Sequence, residues 1–180
     1  GSIVIPGSKS FTNRALIMAS LAQGRSVLDG ISESEDSQAL MRALTKLGVR
    51  SEQSGEVVTV DGNGGRFLPC HCPIDVGPAG TAMRFLTALC ACVPGRIVLD
   101  GSERMRERPI KDLTDALVQL GVPIQTTQYK GSWGHPPLTI NGGTVSGSKV
   151  QISGKTSSQF IGCRRRNFKV PLINIALCAS

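Results

Sequence analysis

The chain has 180 residues, a formal net charge of +7 and few aromatic residues, which make up 4% of the sequence. A chain of this length can bury one sizeable core, or one complete small domain and part of another. The positive charge favours anionic ligands. Because single-stranded nucleic acids stack on aromatic side chains, the shortage of these residues argues against a nucleic-acid surface and favours small anionic metabolites.

The cysteines and the hydropathy pattern bear on cofactors and compartment. The two C-x-C pairs, at residues 70–72 and 90–92, are spaced more closely than the C-x₂₋₄-C of zinc sites. Cys90 and Cys92 lie in an apolar helical run, where cysteine packs as a small hydrophobic residue. No apolar run approaches the ~18 residues of a membrane span, and no signal peptide is evident. We expect reduced thiols, no metal and a cytoplasmic location.

Residues 7–16, GSKSFTNRAL, predict an anion site at the start of a helix. This stretch combines a glycine, a lysine, three hydroxyls and an arginine, and an apolar run continues from it. A helix N-terminus has unpaired backbone N–H groups and the positive end of the helix dipole. Lys9, Ser10 and Arg14 add charge and hydrogen-bond donors, which suits phosphate. The alternative for this stretch alone is an ordinary capped helix with two solvated cations.

The first part of the chain predicts a unit of strand, loop, helix, strand, helix and hairpin. We expect a strand at residues 3–5, a first helix to about residue 22 that Gly24 ends, and a strand at residues 26–28. Ser34 is the predicted N-cap of a second helix, and Gly48 its C-terminal glycine. The buried face of that helix is predicted to be Ala39, Leu40, Ala43, Leu44 and Leu47, followed by a strand at residues 57–60 and a turn at residues 62–65.

The next part of the chain repeats this order at an offset of roughly 70–73 residues, which places Arg14 opposite Arg84. Pro109 is predicted at the first position of the last helix of the unit. The predicted elements are a strand at residues 74–76, the loop at 77–84, a helix to residue 92, a strand at 97–101, a helix with Ile110, Leu113, Ala116, Leu117 and Leu120 on its buried face, and strands at 124–127 and 138–140.

A third unit begins with an expected strand at residues 150–152 and the loop GKTSSQF at residues 154–160. Three adjacent arginines at residues 164–166 then stand where the repeat requires an apolar helix, and burial of unpaired charge costs several kcal/mol. We therefore expect an α/β fold of three βαβαββ units, at about residues 3–72, 73–147 and 148–160. The third unit is incomplete, and residues 161–180 form an atypical tail. Pseudo-threefold symmetry, with helices inside and sheets outside, would bring the three loops together.

Four motifs, in order, resemble the 5-enolpyruvylshikimate-3-phosphate synthase family. They are PGSKSxxNRAL at residues 6–16, GxAGTAMR at 77–84, RMxERPI at 104–110 and SSQF at 157–160. The resemblance covers residues 3–160 and implies the inverted-barrel domain of enolpyruvyl transferases, with residues 1–160 as an N-terminal domain that binds shikimate 3-phosphate. The related UDP-N-acetylglucosamine enolpyruvyl transferases share this fold but resemble the first loop less well.

The resemblance implies transfer of the enolpyruvyl group of phosphoenolpyruvate to the 5-hydroxyl of shikimate 3-phosphate, with release of phosphate, in the pathway to chorismate and the aromatic amino acids. No cofactor or metal is implied, and glyphosate is the inhibitor. Lys9 is the implied catalytic residue. The implied phosphoenolpyruvate ligands are Lys9, Gly80, Thr81, Arg108 and Gln159, and those of shikimate 3-phosphate are Ser10, Arg14, Ser157, Ser158 and Gln159.

Several alternatives stay open on the sequence. The alternative functions are those of a non-catalytic fragment that binds phosphate esters, of a UDP-N-acetylglucosamine enolpyruvyl transferase relative, and of a nucleic-acid binder that uses residues 164–166. Pro78 and Phe85 depart from the commonest family pattern near the phosphoenolpyruvate loop, so the response to glyphosate is open. The carboxylates that move protons in the family lie in a second domain, which a separate chain could supply.

Five further side chains have open or unassigned roles. Arg84 either contacts ligand or pairs with a nearby carboxylate. Arg104 and Arg106 are interpreted as a solvated charge cluster. His71 and His135 lie between prolines in predicted loops and receive no role.

Overall fold

The computed structural model describes residues 7–143 and 145, which form a mixed α/β fold. The helices of this part of the chain are α1 (Lys9–Leu21), α2 (Glu35–Lys46), α3 (Gly80–Ala91), α4 (Glu103–Arg106) and α5 (Lys111–Gln119). Its strands are β1 (Gln23–Leu28), β2 (Arg50–Ser54), β3 (Val57–Asn63), β4 (Ile74–Asp75), β5 (Gly95–Asp100), β6 (Ile124–Tyr129) and β7 (Ser132–Gly142). None of the helices described is both long and apolar enough to cross a membrane. The expected strand at residues 3–5, the third unit and the tail lie outside the described residues.

The strands form two sheets, one in each described unit. The first sheet has the order β1-β3-β2 and is antiparallel. The second has the order β4-β5-β7-β6, in which only β4 and β5 run parallel. Helix α1 packs on β3 and α3 on β7, while α1, α2, α3 and α5 pack on one another. The helices and the inner faces of both sheets thus share one hydrophobic core.

Local sequence signals define helix α2 as predicted. The Ser34 hydroxyl accepts a hydrogen bond from the backbone N–H of Ser37 (3.2 Å), which caps the helix. Gly48 follows the C-terminal end with φ +88°, a conformation in which a side chain would be strained. The predicted core face is also confirmed, since Ala39, Leu40, Ala43, Leu44 and Leu47 are all buried.

The same backbone contacts recur in the two described units. The N–H of Val49 donates to the Leu44 carbonyl (3.0 Å) after α2, and the N–H of Val122 donates to the Leu117 carbonyl (3.1 Å) after α5. A hydrogen bond also joins the end of each unit's first helix to the end of its last strand: Gly64 N–H to Ala22 O (2.9 Å), and Gly143 N–H to Ala91 O (3.0 Å).

In these last strands a glycine lies against the helix end. A Cβ on Gly62 would collide with the carbonyl oxygens of Ala19 and Ala22, and a Cβ on Gly142 would collide with those of Cys90 and Val93. Each strand can therefore approach the final turn of its helix only because the residue there has no side chain.

Two predicted helix boundary signals are misplaced. The first helix ends at Leu21, close to the predicted residue 22, but Gly24 does not end it, because Gly24 lies inside β1, paired with Gly62. Pro109 is not the first helical residue, because Ile110 is the N-cap of α5 and the helix begins at Lys111. Glycine and proline signal a break in regular structure, but not on which side of the boundary they lie.

The strands are longer than expected. β3 extends through Gly62 and Asn63, so the turn is confined to the following residues. β6 continues to Tyr129, and β7 already starts at Ser132. His135 therefore lies in a strand rather than in a loop. Cys90 is buried as predicted, whereas Cys92 is exposed at the end of α3.

Candidate active site

Helix α1 begins without a side-chain cap. Ser8 occupies the N-cap position, but its hydroxyl accepts no hydrogen bond from the first turn. The Arg14 guanidinium folds back along the helix and donates to the Ser10 carbonyl (3.2 Å). Lys9 lies at the first helical position, 54% exposed, with its Nζ 3.4 Å from Asp36 Oδ1 in the first turn of α2. The N-terminus thus retains N–H groups and positive charge for an anion.

Helix α3 begins in the same way with more concentrated charge. Its N-cap is Ala79, which has no side chain that could cap the helix. The Arg84 guanidinium donates to the Gly80 carbonyl (3.2 Å), as Arg14 does to Ser10 in α1. The position that a Cβ would take on Gly80 is 3.1 Å from Arg108 Nη1 and 3.3 Å from Arg84 Nη1. Two guanidinium groups therefore converge on the one residue at this helix start that has no side chain.

The electrostatics of this pair favour an anion. Burial lowers the pKa of Arg84, and the neighbouring charge of Arg108 lowers it further. Among residues 7–143 and 145, no carboxylate forms an ion pair with either guanidinium. The alternative in which Arg84 pairs with a nearby carboxylate is therefore wrong for the described part of the chain. Like charges this close are stabilised by a carboxylate or phosphate, which accepts bidentate hydrogen bonds from guanidinium groups.

The short helix α4 leads to Arg108. Ser102 caps α4 by accepting from the N–H of Met105 (3.3 Å). The Arg106 guanidinium binds Asp100 at the end of β5 through two hydrogen bonds of 2.9 and 2.6 Å. Arg106 is half exposed, in keeping with the interpretation as a solvated cluster, and its bidentate pair adds a link between α4 and the sheet that the sequence did not indicate. Arg104 is exposed, as that interpretation expected.

The first turn of α2 lies between the two helix starts. Lys9 pairs with Asp36 on one side. On the other side, the position of a Cβ on Gly77, in the loop before α3, is 3.9 Å from Glu35 Oε1. The loops before α1 and α3 therefore lie at the same edge of the helical layer. The convergence of a third loop stays a prediction, because residues 154–160 lie outside the described residues.

The structure thus places six of the nine predicted site residues at one edge. Lys9, Ser10 and Arg14 lie at the start of α1, Gly80 and Thr81 at the start of α3, and Arg108 after α4. The other three, Ser157, Ser158 and Gln159, lie outside the described residues. No group of three or more metal-binding side chains occurs within the described ranges.

Asn13 is a residue of this edge that the sequence interpretation missed. It is fully buried in α1, and neither its amide nitrogen nor its amide oxygen has a hydrogen-bond partner. It lies one turn above Lys9 and directly before Arg14. A polar residue on the core side of an apolar helix was the available signal, since buried amides are normally paired.

Comparison with known proteins agrees with this geometry. The family model for EPSP synthase (3-phosphoshikimate 1-carboxyvinyltransferase) matches residues 1–163. The chain belongs to the EPSP synthase family. It is 44% identical over 163 residues to the 3-phosphoshikimate 1-carboxyvinyltransferase of Ralstonia pickettii, and 45% identical over 163 residues to that of Pseudoalteromonas translucida. Each match covers 89% of this chain, and the chain spans 37% and 38% of these two relatives.

Solved structures show the same relationship. One structure of EPSP synthase from Acinetobacter baumannii matches 99% of this chain with a TM-score of 0.76 and 26% sequence identity. Another structure of that enzyme matches 79% of this chain with a TM-score of 0.74 and 30% identity. The matched regions are 38% and 32% of the solved chains, respectively. This chain therefore corresponds to rather more than a third of an EPSP synthase.

Proposed function

We propose that the chain carries the substrate-binding N-terminal part of a 3-phosphoshikimate 1-carboxyvinyltransferase. The observation that supports this most directly is the pair Arg84 and Arg108, which converge on Gly80 at an uncapped helix start. Lys9 lies at the same edge. Phosphoenolpyruvate, with a carboxylate and a phosphate on three carbons, is the kind of dianionic ligand that such a cluster binds.

The proposed site divides its cations between two substrates. Gly80, Thr81 and Arg108, with Gln159, bind phosphoenolpyruvate. Ser10 and Arg14, with Ser157, Ser158 and Gln159, bind shikimate 3-phosphate. Lys9 contacts phosphoenolpyruvate from α1. Its side chain is 54% exposed, and it can exchange its ion pair with Asp36 for a ligand, because a partly exposed pair of this kind contributes about 1 kcal/mol.

The proposed reaction joins these substrates by addition and elimination. The 5-hydroxyl oxygen adds to C2 of phosphoenolpyruvate and gives up its proton to a general base, while a general acid protonates C3, which gives a tetrahedral intermediate. Loss of phosphate from C2 and of a proton from C3 then gives the enolpyruvyl ether. We assign Lys9 as a proton-transfer group from this chain. The other acid–base groups would come from a second domain, which would also close over the substrates and exclude water.

The proposal includes the finer features that the family suggests. The fold is a pseudo-threefold domain of βαβαββ units whose third unit starts near residue 148. The partners are the two substrates, the inhibitor glyphosate and a C-terminal domain that a separate chain can supply. Cytoplasmic location stays a prediction.

Binding and turnover test this function separately. In calorimetric titrations of the chain, we expect shikimate 3-phosphate to bind first and phosphoenolpyruvate to bind more tightly in its presence. Arg108→Met should weaken phosphoenolpyruvate binding more than tenfold, because a charge-assisted bidentate contact is worth about 1.5–3 kcal/mol. Arg25→Met is the matched control: it removes one positive charge from an exposed ion pair with Asp61, in the first sheet. If both variants lost phosphoenolpyruvate affinity equally, the effect would be due to net charge alone, and the assigned site would be contradicted.

The alternative is a phosphate-ester-binding fragment without catalysis, and the chain spans less than two-fifths of the length of the curated relatives it matches. Turnover after addition of a separately expressed C-terminal domain discriminates the two. Binding without turnover in that mixture would support the fragment. Robust turnover by the chain alone would contradict the assignment of half an active site.

A further inference from the structure

The segment that carries Arg108, residues 106–110 between α4 and α5, is fixed by the hairpin of β6 and β7. Three contacts join them. His135 Nδ1 lies 3.0 Å from the Arg106 carbonyl oxygen. The Tyr129 hydroxyl lies 2.9 Å from Glu107 Oε1, and the N–H of Ile110 donates to the Gly134 carbonyl (2.8 Å). These contacts occur on both sides of Arg108 in the sequence, whereas Arg108 itself forms no ion pair among the described residues.

The His135 contact has a defined chemistry. His135 is only 4% exposed. A carbonyl oxygen can only accept a hydrogen bond, so Nδ1 must carry the proton. A buried ring that donates to a main-chain carbonyl restricts the backbone of Arg106, and Arg106 is also held by its bidentate pair with Asp100. The residue two before Arg108 is thereby fixed from the sheet on two sides.

Irregular pairing in the hairpin brings the two rings to the same place. The register of β6 and β7 shifts on both sides of Thr127. β-bulges of this kind redirect side chains and occur near functional sites. The Thr127 hydroxyl stabilises the irregularity by donating to the His135 carbonyl (3.0 Å). The rings of Tyr129 and His135 consequently lie 5.6 Å apart, and Lys130 Nζ lies 5.2 Å from the Tyr129 ring.

Close approach of the hairpin depends on Gly134. A Cβ there would lie 2.9 Å from Lys111 Cα and collide with its side chain, and Gly134 has φ +99°. The first turn of α5 therefore rests directly on the hairpin, which fixes the distance between the strands and the Arg108 segment.

We propose that Tyr129 and His135 are positioning residues for Arg108. They hold residues 106–110 so that the Arg108 guanidinium lies over Gly80 before any ligand binds. They act through Glu107 and Arg106, and neither contacts substrate. The role assigned to Arg108 in phosphoenolpyruvate binding rests on the proposed function. The ordering of the Arg108 side chain in the free chain is independent of that function. Preorganisation of this kind reduces the entropy lost on binding.

Tyr129→Phe tests the contact with little risk to folding, since it removes only the hydroxyl. We expect phosphoenolpyruvate affinity, measured with shikimate 3-phosphate present, to fall about fivefold, which corresponds to one hydrogen bond. Shikimate 3-phosphate affinity should stay unchanged. The NMR signal of the Arg108 Nε–H group in the free chain should broaden or lose its order. Trp133→Phe is the control, because Trp133 is 59% exposed on the same hairpin.

A second pair of variants separates positioning from general stability. Glu107→Ala should reproduce the effect of Tyr129→Phe. The double variant should lose no further affinity, because both substitutions remove the same hydrogen bond. Glu107→Gln should retain the affinity, since an amide oxygen still accepts from the hydroxyl. Unchanged affinity and an unchanged Arg108 signal in Tyr129→Phe and Glu107→Ala would overturn the proposal. If the parent chain binds neither substrate, the proposed function fails, and the Arg108 signal still decides whether the hairpin orders the arginine.

Discussion

The starts of α1 and α3 are built on the same backbone plan but distribute charge differently. Both lack a side-chain cap, and in both an arginine donates back to the carbonyl four residues earlier. At α1 the exposed Lys9 is balanced by Asp36. At α3 the half-buried Arg84 and Arg108 face each other across Gly80. The start of α1 therefore carries a cation balanced by a carboxylate, whereas the start of α3 carries two cations that form no ion pair among the described residues.

The outer faces of these helices differ as well. Phe11 and Met18 of α1 are 76% and 55% exposed. At the offset of 70 residues, the equivalent positions in α3 are Thr81, which is half-buried, and Ala88, which is fully buried. Helix α3 packs against α1, α2, α5, β5 and β7, whereas α1 packs against α2, α3, β1 and β3. Helix α3 thus tolerates only small residues where α1 carries large ones.

Among the variants considered, exchanging residues between these positions should have the largest effect on the free energy of unfolding. Ala88→Met should destabilise the chain by about 2 kcal/mol, because a fully packed position cannot accept three more heavy atoms without strain. Met18→Ala should change the free energy of unfolding by less than about 0.5 kcal/mol, because the side chain is largely in solvent. Urea denaturation measures both. Similar costs at the two positions would show that the faces are packed alike.

Removing one charge from each start should have opposite effects on stability. Arg108→Met should raise the free energy of unfolding by roughly 0.5–1 kcal/mol, a figure discounted for partial solvent exposure, since it relieves repulsion with Arg84. Lys9→Met should lower it slightly, because it leaves Asp36 without its partner. Thermal denaturation without ligand is the measurement. A loss of stability in Arg108→Met would mean that the two guanidinium groups are not in net repulsion.

Acid should weaken the anchor of the Arg108 segment. Burial alone would raise the pKa of Asp100, but the hydrogen bonds from Arg106 and the Gly101 N–H, with the charge of Arg106, hold it below its ordinary value. A lowered folded-state pKa contributes stability above the unfolded value of about 3.9, and this is lost as pH falls through the folded value.

Asp100→Asn should therefore cost roughly 0.5 kcal/mol at neutral pH and flatten the stability profile below about pH 4. Asp29→Asn is the matched control. Asp29 precedes Gly30 as Asp100 precedes Gly101, and each carboxylate accepts from the following glycine N–H. A profile that is unchanged in Asp100→Asn between about pH 2 and 4 would contradict the linkage.

The smallest effect is expected at the ion pair of α1. Asp36→Asn should cost about 0.3–0.5 kcal/mol, since it removes a partly exposed pair and a favourable charge in the first turn of α2. The difference between parent and variant should shrink in 0.5 M salt, where exposed charges are screened. Measurement of unfolding at two salt concentrations checks this. An effect above about 1 kcal/mol, insensitive to salt, would indicate a structural role for Asp36 beyond the pair.

Features with local causes could be predicted from the sequence. The cap at Ser34, the glycine after α2 and the apolar faces of α2 and α5 depend on neighbours within one or two turns, and all are confirmed. Gly24 and Pro109 indicated that a helix boundary lies nearby, but not at which residue the helix ends or begins. Whether a glycine ends a helix or enters a strand depends on which distant strand pairs with it, here β3 for Gly24.

The geometry of the candidate site could not be predicted from the sequence. The resemblance to the family implied roles for Gly80 and Arg108, yet nothing local indicates that Arg84 and Arg108, 24 positions apart, would meet at Gly80. That meeting depends on how the strands place α4. The contribution of His135 was likewise hidden, because its partner is a main-chain carbonyl 29 residues away, which leaves no pattern in the sequence.

The glycines at the ends of β3 and β7 have a consequence for how the chain opens. Because Gly62 and Gly142 press against the last turns of α1 and α3, and the adjoining amides of Gly64 and Gly143 bond to those turns, neither helix end can fray while its strand stays in the sheet. Amide hydrogen exchange at Gly64 and Gly143 should therefore report opening of a whole helix–strand unit rather than of a loop tip. Each unit would then open cooperatively, with the glycine contact as the place where helix and sheet separate.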